Sequence, residues 1–171
     1  MALITLGANS GKGKVLQVVN GVSTTKQSST STTYADISGL SASITPSSTS
    51  NKVLILVNIN TLSNNAGSGT NLKLLRDSTV VTKTTTAGQN ATYEAFAAGG
   101  GLSGSGVDAT RQKHGVTLSF LDSPSSTSAR AYKVQFRTSN ASNAAAVNGW
   151  VLNDDQSSVS TITLMEIAEW L

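Results

Sequence analysis

The sequence predicts an all-β protein: an antiparallel β-sandwich of jelly-roll type, with about nine or ten short strands and an extended N-terminal arm. Three observations carry that prediction. Apolar residues recur at every second position through most of the chain, the period of a half-buried strand. Clusters of Gly, Ser, Asn and Pro interrupt these runs at the spacing of a sandwich or barrel. Charged residues make up only 12% of the 171, against about a quarter in a typical soluble domain, so the strong charged helix formers are sparse. Thr, which suits a pleated surface, and Ser and Asn, which suit turns, take their place.

Residues 1–13 read as an attachment arm. Leu3, Ile4 and Leu6 form an apolar patch suited to docking on a neighbour, and Gly7 to Gly13 is a flexible link; a frayed terminus is the alternative reading. Residues 14–171 read as a single β-sandwich domain. Within it, 14–22 is a β-branched strand. Residues 32–38 alternate, Gly39 ends that strand, and Leu40, Ala42 and Ile44 mark the next. Residues 52–62 form the strongest strand. Its first half is continuously apolar, which predicts cover on both faces, and its second half alternates. Residues 72–75 and 79–85 pair as a hairpin through Arg76, Asp77 and Ser78. Residues 92–98 are a strand anchored by Tyr93 and Phe96, and 99–106 are a glycine-rich loop.

Val116 to Leu121 is a further strand. Tyr132, Val134 and Phe136 alternate with Lys133, Gln135 and Arg137 in the next, and 140–148 read as a small-residue loop. Residues 159–168 close the domain, with a helical alternative for 164–171. Trp150 and Trp170 are interface candidates, because Trp favours buried contact surfaces. One string occurs twice: Pro46-Ser-Ser-Thr-Ser50 and Pro124-Ser-Ser-Thr-Ser128. Each joins two strands, which predicts two equivalent wide turns begun by a fixed proline φ.

The composition argues against several function classes. There are no cysteines, so disulfides and thiolate metal sites are excluded. His114 is the only histidine; it reads as an exposed loop residue and has no partner for a zinc site. Asp154 and Asp155 read as a solvated turn, with a Ca²⁺-binding loop or a carboxylate pair as the alternatives. Asp36, Asp77, Asp108 and Asp122 stand singly at strand ends or turns. The glycines around Lys12 miss phosphate-loop spacing. The net charge of +3 is scattered rather than clustered, so no nucleic-acid surface is expected. No run approaches the length of a membrane helix. No catalytic residue, metal or cofactor is expected.

Several strings carry a family resemblance. Gly13-Lys-Val-Leu-Gln-Val-Val19, Ser31-Thr-Thr-Tyr-Ala-Asp-Ile-Ser-Gly-Leu40 and Ser43-Ile-Thr-Pro-Ser-Ser-Thr-Ser-Asn-Lys-Val53 resemble virion proteins of tailed bacteriophages, especially marine and cyanobacterial ones. Phe120-Leu-Asp-Ser-Pro124 and Thr161-Ile-Thr-Leu-Met-Glu-Ile167 do so as well. The resemblance implies a fibre, spike or decoration module of the virion, often trimeric and non-enzymatic. Its implied partners are copies of itself, other virion proteins and a host surface glycan or receptor. Three roles follow as expectations: a trimeric tail-fibre or receptor-binding subunit, a capsid decoration protein whose arm clamps neighbouring capsomers, and a glycan-hydrolysing spike resting on Asp154 and Asp155.

Overall fold

The computed structural model describes residues 14–63, 69–82, 97–100, 112–149 and 157–169. Eleven strands lie among them, and no helix. In order they are β1 (Val15–Ser23), β2 (Gln27–Ser29), β3 (Ala35–Ile44), β4 (Lys52–Ser63), β5 (Gly69–Arg76), β6 (Thr79–Val80), β7 (Ala97–Gly100), β8 (Gln112–Asp122), β9 (Arg130–Thr138), β10 (Ala145–Val147) and β11 (Ser160–Ile167). They form two antiparallel sheets packed face to face.

The eleven strands occupy eight positions. In the first sheet β4 is central. β8 runs along one of its edges, and β11 and β10 share the other, with β1 beyond β11 and β2 beyond β10. In the second sheet β3, β9 and β5 follow one another, and β6 and β7 share the outer edge of β5. Numbered by position, the orders are 1-8-3-6 and 2-7-4-5. That is the double Greek key of a jelly roll, the architecture expected from the sequence.

Alternation builds the core. Ile37, Leu40, Ala42 and Ile44 on β3, Val53, Ile55, Val57 and Ile59 on β4, Leu72 and Leu74 on β5, Tyr132, Val134 and Phe136 on β9, and Ile162 and Leu164 on β11 all point between the sheets and are buried. β4 departs from expectation. Its continuous Val-Leu-Ile-Leu-Val run predicted cover on both faces, yet Leu54 is half-buried and Leu56 exposed. The second sheet covers only the inward set, and among the described residues no layer covers the outward face there.

Other expectations are also corrected. Gly39 does not end a strand: with φ 76° it forms a bulge inside β3, where the pairing to β9 shifts register between Asp36 and Ser41. Residues 145–147 are not loop; β10 is buried between β2 and β4. The expected closing strand is present as β11, and residues 164–167 follow it rather than the helical alternative, because pairing to both β1 and β4 overrides their helix propensity. His114 lies within β8, half-buried, and Thr79–Val80 is all the described strand of the hairpin's second arm.

The repeated string lies at equivalent places. The turn after β3 and the turn after β8 each cross from one sheet to the other, at the same end of the sandwich. Pro46 and Pro124 are both buried. The hydroxyl of Ser48 accepts from the Ser50 amide, and that of Ser126 accepts from the Ser128 amide, giving the same hydroxyl turn twice.

Candidate interaction surface

The outward residues of the first sheet line up in rows set by register. One row runs Val18–Met165–Leu54–Leu121, a wholly apolar stripe across four strands. The next runs Asn20–Thr163–Leu56–Ser119, and the third Val22–Thr161–Asn58–Thr117. None of these twelve positions is charged. Lys52 and Glu169 mark the rim, with Nζ and Oε1 3.8 Å apart. Leu56, Asn58, Thr117, Ser119, Thr161 and Thr163 line a shallow open depression on this face. It offers hydroxyl, amide and aliphatic groups and no acid or base.

Exposed apolar side chains concentrate here. The large hydrophobics that stay exposed among the described residues are Val15, Leu16, Val18, Val22, Leu56, Leu121 and Val159. The first four lie on β1, Leu56 on β4 and Leu121 on β8, and Val159 directly precedes β11, so all belong to the first sheet or its margin. Val18 is 57% and Leu121 55% exposed. Single exposed aliphatics are ordinary, whereas an aligned patch marks a contact surface.

The outward face of the second sheet is the opposite in character. Lys133 Nζ lies 2.9 Å from Asp36 Oδ2, and Gln135 Nε2 donates to Asp36 Oδ1 at 2.7 Å. Burial would raise the Asp36 carboxyl, but Lys133 and Gln135 outweigh it and hold it below the ordinary value. Lys73 Nζ and Arg137 Cζ lie 4.3 and 4.8 Å from the centroid of the Tyr34 ring, within cation–π range. Tyr34 is therefore a surface platform for two cations.

The remaining acids among the described residues hold the fold together. Asp122 Oδ2, at the end of β8, accepts from Arg76 Nη1 at 2.6 Å and from the buried Tyr132 hydroxyl at 2.7 Å. One carboxylate thus ties the first sheet to two strands of the second. Burial, and then the neighbouring carboxylate, push the Tyr132 hydroxyl well above its usual value. Asp77, at φ 55°, turns the β5–β6 hairpin. It accepts from the Ala131 amide at 3.0 Å, which with Arg130 lowers its pKa.

Glu166 is 2% exposed. Its Oε1 accepts from the Ser47 amide, the Ser47 hydroxyl and Asn51 Nδ2 at 2.6, 2.7 and 2.6 Å. Burial favours its neutral form, but these donors win and lower its pKa. The acids expected to stand singly, Asp36, Asp77 and Asp122, are therefore all partnered, because sheet packing brings distant donors to them. Asp108 lies outside the described residues.

The residues singled out from the sequence divide. Leu3, Ile4, Leu6, Trp150, Trp170, Asp154 and Asp155 lie outside the described residues. The outward stripe was missed, although its residues fell in predicted strands. Alternation tells which residues share a face, but not which face the second sheet covers. Among the described residues no group of three or more His, Asp or Glu side chains could hold a metal ion, and no helix is long and apolar enough to cross a membrane. A scan of the sequence against protein-family models gives no match, and a search of curated proteins gives none either.

Proposed function

We propose that this chain is a non-enzymatic structural subunit of a bacteriophage virion, acting as a homotrimeric tail-fibre or receptor-binding module. The observation that carries the reading is the uncharged apolar face of the first sheet, beside a second sheet whose outward face carries the Lys133–Asp36 ion pair and the Lys73 and Arg137 cations over Tyr34. Aligned exposed apolar patches more often mark contact surfaces than bare solvent-facing ones. A protein built into an assembly covers the apolar sheet with a neighbour and leaves the charged one in solvent. The jelly-roll topology agrees with the reading at the level of fold, since capsid and lectin domains share it among other functions. The family resemblance agrees at the level of sequence.

The test has two arms. Light scattering of the purified chain is expected to give a multiple of three chain masses, and an antibody label on intact particles is expected to mark the tail. A stable monomer at micromolar concentration overturns the trimer. Label on the head assigns the chain to capsid decoration, with residues 1–13 as its clamp. Release of sugar from host-surface polysaccharide that is lost in an Asp154→Asn, Asp155→Asn variant overturns the non-enzymatic reading.

A further inference from the structure

Four strand positions form the edges of the two sheets, and three of them are blunted in ways that oppose further pairing. β1 is crowded by β3. A Cβ on Gly21 would run into the Ser41 carbonyl oxygen, and the Ser23 hydroxyl donates to the Ser38 carbonyl at 2.6 Å. β3 is broken by its bulge at Gly39 and carries Asp36. β6 and β7 are two and four residues long.

β8 is different. It pairs with β4 over eleven consecutive residues with no register shift, and among the described residues it pairs with nothing else. From Gly115 to Leu121 it has no charge and no proline. Its inward Val116, Leu118 and Phe120 pack on the core but stay half-buried.

We infer that the β8 edge is a two-fold contact between copies of this chain, in which β8 pairs antiparallel with β8 of a second copy about Leu118. The occupant follows from the strand's own sequence. Around Leu118, Thr117 meets Ser119, Val116 meets Phe120 and Gly115 meets Leu121, so hydroxyl falls against hydroxyl and apolar against apolar. One step further out, His114 falls opposite Asp122. The His114 Nε2 is buried and finds no hydrogen-bond partner among the described residues, and cross-strand neighbours in this arrangement lie about 5 Å apart. A two-fold axis perpendicular to the sheet keeps inward residues inward. The pairing therefore continues the first sheet from one copy into the next and extends the half-covered Val116–Leu118–Phe120 row with its own mirror sequence. The contact goes beyond the virion role and stands apart from it, since a trimer would pack faces and this joins edges.

Thr117 and Ser119 are exposed, so they can be changed without touching the core. Because both also lie on the outward face of the first sheet, the charge-reversed mixture and the disulfide pairing, rather than the lysine variant alone, separate an edge contact from a face contact. Thr117→Lys with Ser119→Lys sets four lysines against one another across the axis. The variant is expected to keep its β-sheet circular dichroism and to show at most half the mass of the unaltered chain by sedimentation, whether that chain is a dimer or two trimers joined at an edge. Mixing it with Thr117→Glu, Ser119→Glu is expected to restore the full mass. Because the chain has no cysteine, Thr117→Cys and Ser119→Cys are expected to give an oxidised dimer when mixed and almost none when kept apart. An unchanged mass in the lysine variant, or no disulfide in the mixture, overturns the contact. Either result arises if a segment of the same chain covers β8 instead. Loss of the trimer with retained edge disulfides would count against the proposed assembly and leave this contact standing.

Discussion

Glu166 shows what a single side chain does in a fold with so little charge. Three donors from the turn before β4 converge on one of its oxygens, so its ionised form fastens that turn to β11. Its folded-state pKa lies below the ordinary 4.5. The stabilisation is therefore fully present above that value and is lost as pH falls through the lowered one. Glu166→Gln is expected to cost about 1–3 kcal/mol near neutrality, since a charge-assisted acceptor is lost. The difference in melting temperature between the two proteins should narrow as the pH falls below the ordinary value of 4.5. A gap that stays constant across a calorimetric pH series would show that the charge contributes nothing.

Two other residues are expected to carry similar weight. Tyr132→Phe removes one donor to Asp122 and should cost about 1–2 kcal/mol, whereas Asp122→Ala strands Arg76 and Tyr132 together and should cost about 3–5 kcal/mol in denaturant titration. Asn148 is buried at φ 63°, a conformation Asn tolerates. Its side chain donates to Ser23 and Thr25 and accepts from the Ser160 hydroxyl at 2.6 Å. Sequence reasoning placed it in a loop and missed it, because all its partners are remote in the chain.

At the scale of elements, strand positions were the most legible feature. Leu40, Ala42 and Ile44 point inward as their alternation predicts, and so do Tyr132, Val134 and Phe136. The repeated proline turns were also readable, since a proline followed by hydroxyl residues folds by local bonds alone. Strand breaks were less so. Gly39 looks like a terminator in sequence, yet neighbouring backbone pairing carries β3 through it as a bulge. Gly21 gave no signal at all. It sits in a β-branched run, and only the approach of β3 shows why a side chain is excluded. Gly21→Ala is expected to destabilise the fold by about 1–3 kcal/mol through overpacking against the Ser41 carbonyl. A melting temperature equal to that of the parent would mean that β1 and β3 can move apart freely.

At the scale of the whole molecule, the two sheets have unlike outer faces, and self-association should draw on the apolar one. Leu56→Lys, at the centre of that face, is expected to weaken assembly tenfold or more, equivalent to about 1.4 kcal/mol. Added salt should change the assembly of the parent chain little, because few charges take part. Sedimentation equilibrium at two salt concentrations checks both statements, and strong weakening by salt alone would move the interface to the charged sheet.

The sequence by itself determined that the chain is all-β, that its strands alternate, and that two like turns recur, because these depend on periodicity and local backbone chemistry. Only the tertiary structure decided which alternating set faces the second sheet, which aliphatic residues are left outside, and which distant donors reach Glu166, Asp122 and Asn148. Those outcomes depend on how strands far apart in the chain come together, and no local pattern encodes that arrangement.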